Sequence, residues 1–374
     1  MKQALTAWGN ITETYAAGLL RGMLEIPSPS YQERDQAAFL AAAMTDLGFR
    51  THIDDVGNVI GVIERGDGPT LMLLGHLDTV PGPVPVRSEA GRLYGRGAVD
   101  AKGPLAAMIC AAVGAVNFRG RLVVIGVVEE ETPRSRGAMA IRATHDRPDA
   151  LIIGEPSGWS NVVLGYKGKL DLRYTVACPA THPSNPVPKA SELAVSCWDT
   201  LVDLLGPDSG HGVFDRPGAT LVGINADQVT ATADLSVRTP PGFDDTALVR
   251  TLRERLPVGD LEVLNSVAAH RVGRADPVVR ALVTGARRLH VKPRLLVKTG
   301  TSDMNTLAEV WDIPMATYGP GDSSLDHADD EHIVLSDYFR GIDVLTTAIE
   351  ELTDLPRHRA DQVIEMLRPA GVLR

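Results

Sequence analysis

"RLVVIGVVEEETPRSRG", residues 121–137, runs from an unbroken apolar stretch straight into three adjacent glutamates. A continuous apolar run of this length, bounded by polar residues, predicts a strand buried on both faces. "TLMLLGHLDTVP" (70–81) and "PDALIIG" (148–154) repeat the pattern. Between them, "AKGPLAAMICAAVGAV" (101–116) reads as a small-residue helix packed on a sheet. Strands alternating with helices predict an α/β fold with a mostly parallel sheet. The glutamates raise a separate question. Carboxylates this close repel, and burying them is costly unless positive charge compensates them; a solvated acidic loop is the plain alternative.

A chain of 374 residues is longer than one core usually serves, so two domains are expected. The net charge of −10 argues against nucleic acid as the main partner, because phosphate binding needs a basic face. No apolar stretch approaches the ~20 residues that span a bilayer, and "MKQALTAWGNITETYAAGLL" (1–20) lacks the pattern of a secretory leader. The three cysteines, Cys110, Cys178 and Cys197, are odd in number and far apart, which fits reduced thiols in a cytoplasmic protein. Any metal site must therefore draw on histidine and carboxylate.

Outward from the quoted stretch, residues 12–27 and 33–48 read as amphipathic helices, and "FRTHIDDVGNVIGVIERG" (49–66) as a strand pair. The character changes at residue 164. "LGYKGKLDLRYTVA" (164–177) alternates apolar and polar, as a half-exposed antiparallel strand does. A helix (190–205), "ATLVGINADQVTATADLSVRTPPG" (219–242), a second helix (244–256) and "LEVLNSVAAH" (261–270) complete a β-α-β-β-α-β order. That order predicts a ferredoxin-like α+β domain, 164–274, inserted into an α/β domain formed by 1–163 and 275–374.

Four stretches fall at the ends of predicted buried strands, where open α/β sheets bind ligands. "GHLDTVP" offers His76 and Asp78, which point the same way on an extended segment. Asp100 lies in the Gly-rich "YGRGAVDAKGPLAAM" just before a helix, where an N-cap aspartate is the competing reading. Glu129, Glu130 and Glu131 follow the strand at 121–128, and Glu155 ends the strand at 150–153 in a turn. Nearer the C-terminus, "YGPGDSSLDHADDEHI" (318–333) supplies His327, with His332 as its rival. Singly each is weak. Together, histidines and carboxylates at strand ends suit zinc, with cobalt or manganese as substitutes, and a shared carboxylate would permit a two-metal arrangement.

"GHLDTVP", "GRGAVDAKGPLAA", "VVEEETPRSRGA", "IIGEPS" and "GPGDSSLDHADDEHI", in this order, resemble the zinc aminoacylase/carboxypeptidase family. That family includes acetylornithine deacetylase, succinyl-diaminopimelate desuccinylase and carboxypeptidase G. The resemblance implies two divalent ions, zinc or cobalt, with His76 and Glu155 on one, Glu131 and His327 on the other, and Asp100 bridging. It implies Glu130 as general base and Asp78 as the residue orienting His76. The register within the triplet stays open by one residue: a strictly extended strand would send Glu130 to the face opposite Glu129 and Glu131. The chain must turn there, and "TPRSRG", with Pro133 and Gly137, is the expected place.

In the inserted domain, "CPATHPSNPVPKAS" resembles the family segment whose histidine stabilises the oxyanion, here His182. Asn225 and Arg238 match its Asn…Asp-x-Arg segment and are implied substrate contacts. Lys298, Thr299, Gly300, Thr301 and Ser302, in "VKTGTSDMN", are implied to line the specificity pocket, with Asp303 supporting the turn. The family also implies a lid and dimerisation role for this domain, and a homodimer. Within it, "GYKGKLDLRYTVACPATHPS" and "LVKTGTSDMN" most resemble the deacylases of lysine and arginine biosynthesis that free lysine or ornithine from the C-terminal glutamate of a small acidic amino-group carrier protein. An acidic partner would meet a basic rim, for which Arg134, Arg136, Lys167 and Lys169 are the candidates. A deacylase of free N-acyl amino acids or a metallocarboxypeptidase would share the metal residues, and an inactive binding homologue is the alternative from another class.

Overall fold

The computed structural model describes residues 7–357, so both extreme ends of the expected catalytic portion, 1–6 and 358–374, and the first residues of the leader reading lie outside it. Two compact units form: Met1–Val163 with Val272–Leu295 and Trp311–Arg374, and Leu164–Arg271 with Leu296–Val310. Among the described residues, no helix is long and apolar enough to cross a membrane.

The first unit is built on the predicted buried strands. Arg121–Val127, Thr70–His76, Ala150–Ile153 and Met315–Thr317 lie side by side and parallel. The Arg50–Ile53/Val59–Glu64 hairpin adds antiparallel strands beyond Arg121–Val127. Leu73, Leu74, Val124, Ile125, Leu151 and Ile152 are fully buried. Each such side chain contributes on the order of 1.5–3 kcal/mol by leaving water, and this fixes the strands on both faces. The Lys102–Gly114 helix is buried along its whole length, which its Ala- and Gly-rich sequence permits by allowing close approach on every side. The pairing aligns His76 with Val127 and Leu74 with Ile153. His76, the glutamate triplet and Glu155 therefore emerge at the same, carboxyl, edge of the sheet.

The second unit has the β-α-β-β-α-β order, with sheet order Gly218–Ala226, Thr230–Thr239, Gly168–Ala177, Asp260–Val267, all neighbours antiparallel. Leu170, Leu172, Tyr174 and Val176 alternate into a core shared with Leu193, Cys197 and Leu201 of the Ala190–Leu205 helix and Leu252 of Asp245–Arg255. Two details differ from the sequence reading. The stretch 164–177 is not one strand but two, Asn161–Tyr166 and Gly168–Ala177. The break falls at Lys167, whose N–H donates to the Lys298 carbonyl. The sequence reading groups Leu296–Val310 with residues 275–374, whereas its contacts group it with the second unit. The buried Asn305 explains this: its amide donates to the carbonyls of Lys167 (3.2 Å) and Ala268 (2.8 Å).

Candidate metal centre

His76 ends its strand with the imidazole buried. Its Nδ1 lies 2.9 Å from the Asp78 carbonyl, an acceptor only, so Nδ1 carries the hydrogen and donates. That leaves Nε2 pointing at Asp100 Oδ1, 3.1 Å away, and Glu155 Oε1, 3.8 Å away. The other Asp100 oxygen, Oδ2, lies 3.1 Å from His327 Nε2, which also meets Glu131 Oε1 at 2.8 Å. One carboxylate thus stands between two imidazoles, an oxygen turned to each. The N-cap of the Lys102–Gly114 helix is Ala101, with no side-chain capping bond. Asp100 is accordingly no helix cap; its carboxylate serves the cluster.

The glutamate triplet resolves residue by residue. Glu129 sits at φ +60°, and the Thr132 N–H and hydroxyl both donate to its carbonyl, at 3.3 and 2.8 Å. The turn therefore comes at Glu129 itself, ahead of the Pro133–Gly137 stretch expected to supply it. Its side chain turns away to Arg136, 2.6 Å off. Beyond that turn, the N–H groups of Glu130 and Glu131 donate to the two oxygens of Asp78, at 3.0 and 3.1 Å. Glu130 and Glu131 consequently face the same cluster although they are adjacent: oxygens of Glu131, with His76 and Asp100, and of Glu130, with His76 and Glu155, lie within 4.8 Å of their group's other donors.

Sequence reasoning missed the supports behind these groups. Ser30 donates to Asp78 at 2.8 Å, and Glu33 accepts from the Glu129 N–H at 3.2 Å. Lys102, buried, donates to the carbonyls of Met23 (3.1 Å) and Ile26 (2.8 Å) at the end of the Glu13–Glu25 helix. Burial pushes its ammonium down to about 7, against the raising effect of Glu331 and Asp78. Ser30 and Glu33 have no periodic or motif signal, and Lys102, although within "GRGAVDAKGPLAA", acts through carbonyls distant in sequence. His332 is set aside as a rival to His327: its Nδ1 donates to the Asp330 carbonyl and its ring packs on Tyr94.

Electrostatics follow from the crowding. Burial alone would lower the His76 pKa, but hydrogen bonds to Asp100 and Asp78 and the charges of Glu155 and Glu130 raise it well above the ordinary 6.5. His327, bonded to Asp100 and Glu131, is pushed up to about 10. Asp100 is driven well below the usual carboxylate range, its two histidine partners outweighing the cost of burial. Asp78, Asp100, Glu130, Glu131 and Glu155 outnumber the two imidazoles, so protonating both rings still leaves an excess of negative charge. Imidazole nitrogens and carboxylate oxygens converging in this excess are the donor chemistry of a divalent cation.

The second unit holds the remaining candidates. His182 lies exposed on a loop, its Nδ1 2.8 Å from the Ser184 hydroxyl. Asn225 is exposed on the edge strand Gly218–Ala226. Arg238 Nη1 donates to Thr301 Oγ1 at 2.5 Å, and Thr301 donates to the Lys167 carbonyl at 3.0 Å. Lys298 and Gly300 are partly exposed and Thr299 is exposed. Ser302 is buried and caps the Asp303–Ala308 helix, accepting from the Met304 N–H, so its hydroxyl is engaged in the fold. The expected basic rim needs correction. Lys167 is fully buried, its Nζ donating to the Arg216 carbonyl at 2.5 Å, because the 210–216 loop covers it. Lys169 pairs with Asp171 at 3.0 Å and Arg136 with Glu129.

A mixed, mostly parallel sheet carries this histidine–carboxylate cluster at its carboxyl edge, the setting of a divalent metal site. The chain belongs to peptidase family M20/M25/M40, whose profile matches residues 72–351. It is 40% identical over 354 residues to a protein of Deinococcus radiodurans named [LysW]-lysine hydrolase, covering 90% of this chain and 97% of that one. It is 30% identical to the [LysW]-lysine/[LysW]-ornithine hydrolase of Saccharolobus islandicus, over 90% and 96% of the two chains. Among solved structures, it resembles the M20 family metallo-carboxypeptidase Sso-CP2 of Sulfolobus solfataricus, with a TM-score of 0.77 at 18% identity, covering 90% of this chain and 99% of that one.

Proposed function

We propose that this protein hydrolyses the amide joining lysine, or ornithine, to the C-terminal glutamate of an acidic amino-group carrier protein. The bond is between the glutamyl side-chain carboxyl and the α-amine of the amino acid, and its cleavage serves lysine or arginine biosynthesis in the cytoplasm. For the amide hydrolysis, the observation that carries the reading is Asp100, one oxygen toward His76 and the other toward His327. For the substrate, the support is the naming of relatives that match nearly the whole chain.

In this reading His76 and Glu155 would hold one ion and Glu131 and His327 the other, with Asp100 available to both. Zinc suits the donors best, with cobalt as a substitute. Bound there, the ions would supply Lewis acidity toward water and the amide carbonyl. Glu130 takes the proton of the attacking water and delivers it to the leaving amine. Asp78 accepts from the backbone of Glu130 and Glu131 while its own carbonyl accepts from His76, so one residue sets the tautomer of the histidine and the aim of the shuttle.

His182 as oxyanion donor, and Asn225, Arg238 and Lys298–Ser302 as substrate contacts, rest on their likeness to family segments. Within the loop, the engaged hydroxyl of Ser302 leaves it a supporting part. The lid and dimerisation role of 164–274, and a homodimer, rest on the same likeness.

Offering the purified, zinc- or cobalt-loaded protein carrier-bound lysine and free acetylornithine side by side tests the assignment. Release of lysine from the carrier is expected, with little deacetylation. Cleavage of acetylornithine alone would sink the carrier assignment and leave the hydrolase standing.

A further inference from the structure

Glu331 is fully buried, four residues beyond His327. An isolated carboxylate there would be strongly unfavourable, yet this one is saturated with donors. Its Oε2 accepts from Arg96 Nη1 at 2.9 Å and the Gly97 N–H at 3.0 Å. Its Oε1 accepts from the N–H groups of Val99 at 2.8 Å and Asp100 at 3.1 Å. Its main-chain carbonyl takes a further bond from the Gly95 N–H at 3.2 Å. The side chain thus holds the backbone of the loop that carries Asp100, while its own backbone belongs to the loop that carries His327. His327 itself sits at φ +62°, a left-handed conformation that costs a non-glycine residue about 1–2 kcal/mol and persists only where its surroundings fix it.

We propose that Glu331 is a positioning residue that sets the placement of Asp100 against His327, and so the affinity for the ion those two share. This rests on the two-ion reading above. Glu331 restrains two partners of that ion, but only one partner of the ion on the other side, where His76 and Glu155 are fixed by strand ends. Glutamine cannot replace it: both oxygens accept two bonds each, and an amide NH2 at either place would face two N–H groups.

Stepwise cobalt titration of the metal-free protein, followed by calorimetry and visible absorption, is the test. His327→Ala identifies which step belongs to the shared ion. In Glu331→Gln that step is expected to weaken by about 10- to 100-fold and the other step far less, while the buried donors left unsatisfied lower the melting temperature of the metal-free form. Equal weakening of both steps, or none, overturns the proposal. Wild-type protein that takes up only one cobalt ion overturns the two-ion reading, and the proposal with it. Should the variant fail to fold, hydrogen exchange on metal-free wild type decides: slow exchange of the Val99 and Asp100 amides is expected, and exchange at loop rates contradicts the clasp.

Discussion

Glu130→Gln is expected to lower kcat by about 100- to 10,000-fold, the range over which a positioned general base acts, while metal content and KM stay close to wild type. The backbone N–H of residue 130 continues to donate to Asp78, so the turn that presents the side chain survives the substitution. What is lost is the ability to accept a proton from water and return it to the amine, two transfers in one turnover. Glu129→Gln supplies the contrast. The Glu129 carboxylate is bonded to Arg136, which removes it from the proton path, and this variant is expected to keep most of its turnover. Steady-state kinetics with metal analysis of both variants checks the pair. Full turnover in Glu130→Gln, or loss confined to Glu129→Gln, would shift the base by one residue.

Metal affinity is expected to climb steeply with pH. In the metal-free protein His327 is pushed up to about 10 and His76 lies well above 6.5, so near neutrality both rings carry a proton. A nitrogen that ligates a cation must first give that proton up. Each proton displaced makes affinity rise about tenfold per pH unit, so two make it about 100-fold while both rings remain protonated. Calorimetry at neutral pH in buffers of different ionisation enthalpy should find about two protons released per protein filled. Release of none would mean that the histidines are not the ligands. The same shifts act on stability with the opposite sign. A raised pKa stabilises the metal-free fold fully below about 6.5 and loses that contribution as pH rises through the folded value.

Much of this was legible in the sequence because it follows from periodicity. The apolar runs at 70–76 and 121–127 are strands because both their faces are buried, and the residue at the end of each run is thereby placed at the sheet's carboxyl edge. The β-α-β-β-α-β order likewise emerged from alternation alone. Harder to read were features decided by single contacts. Lys167 looks like a surface lysine in "GYKGK", but a loop some 40 residues later covers it. The left-handed turn at Glu129 has no glycine to announce it; the shared acceptor Asp78 draws both following N–H groups inward. Glu331 sits among acids that suggest a solvated loop, and only the fold shows that four donors surround it.

The central claim is a two-ion centre with Asp100 between the ions, and anomalous diffraction at the zinc edge from loaded wild-type crystals tests it most directly. Two peaks are predicted, one against His76, Asp100 and Glu155 and the other against Asp100, Glu131 and His327. A single peak, or peaks away from Asp100, would contradict it.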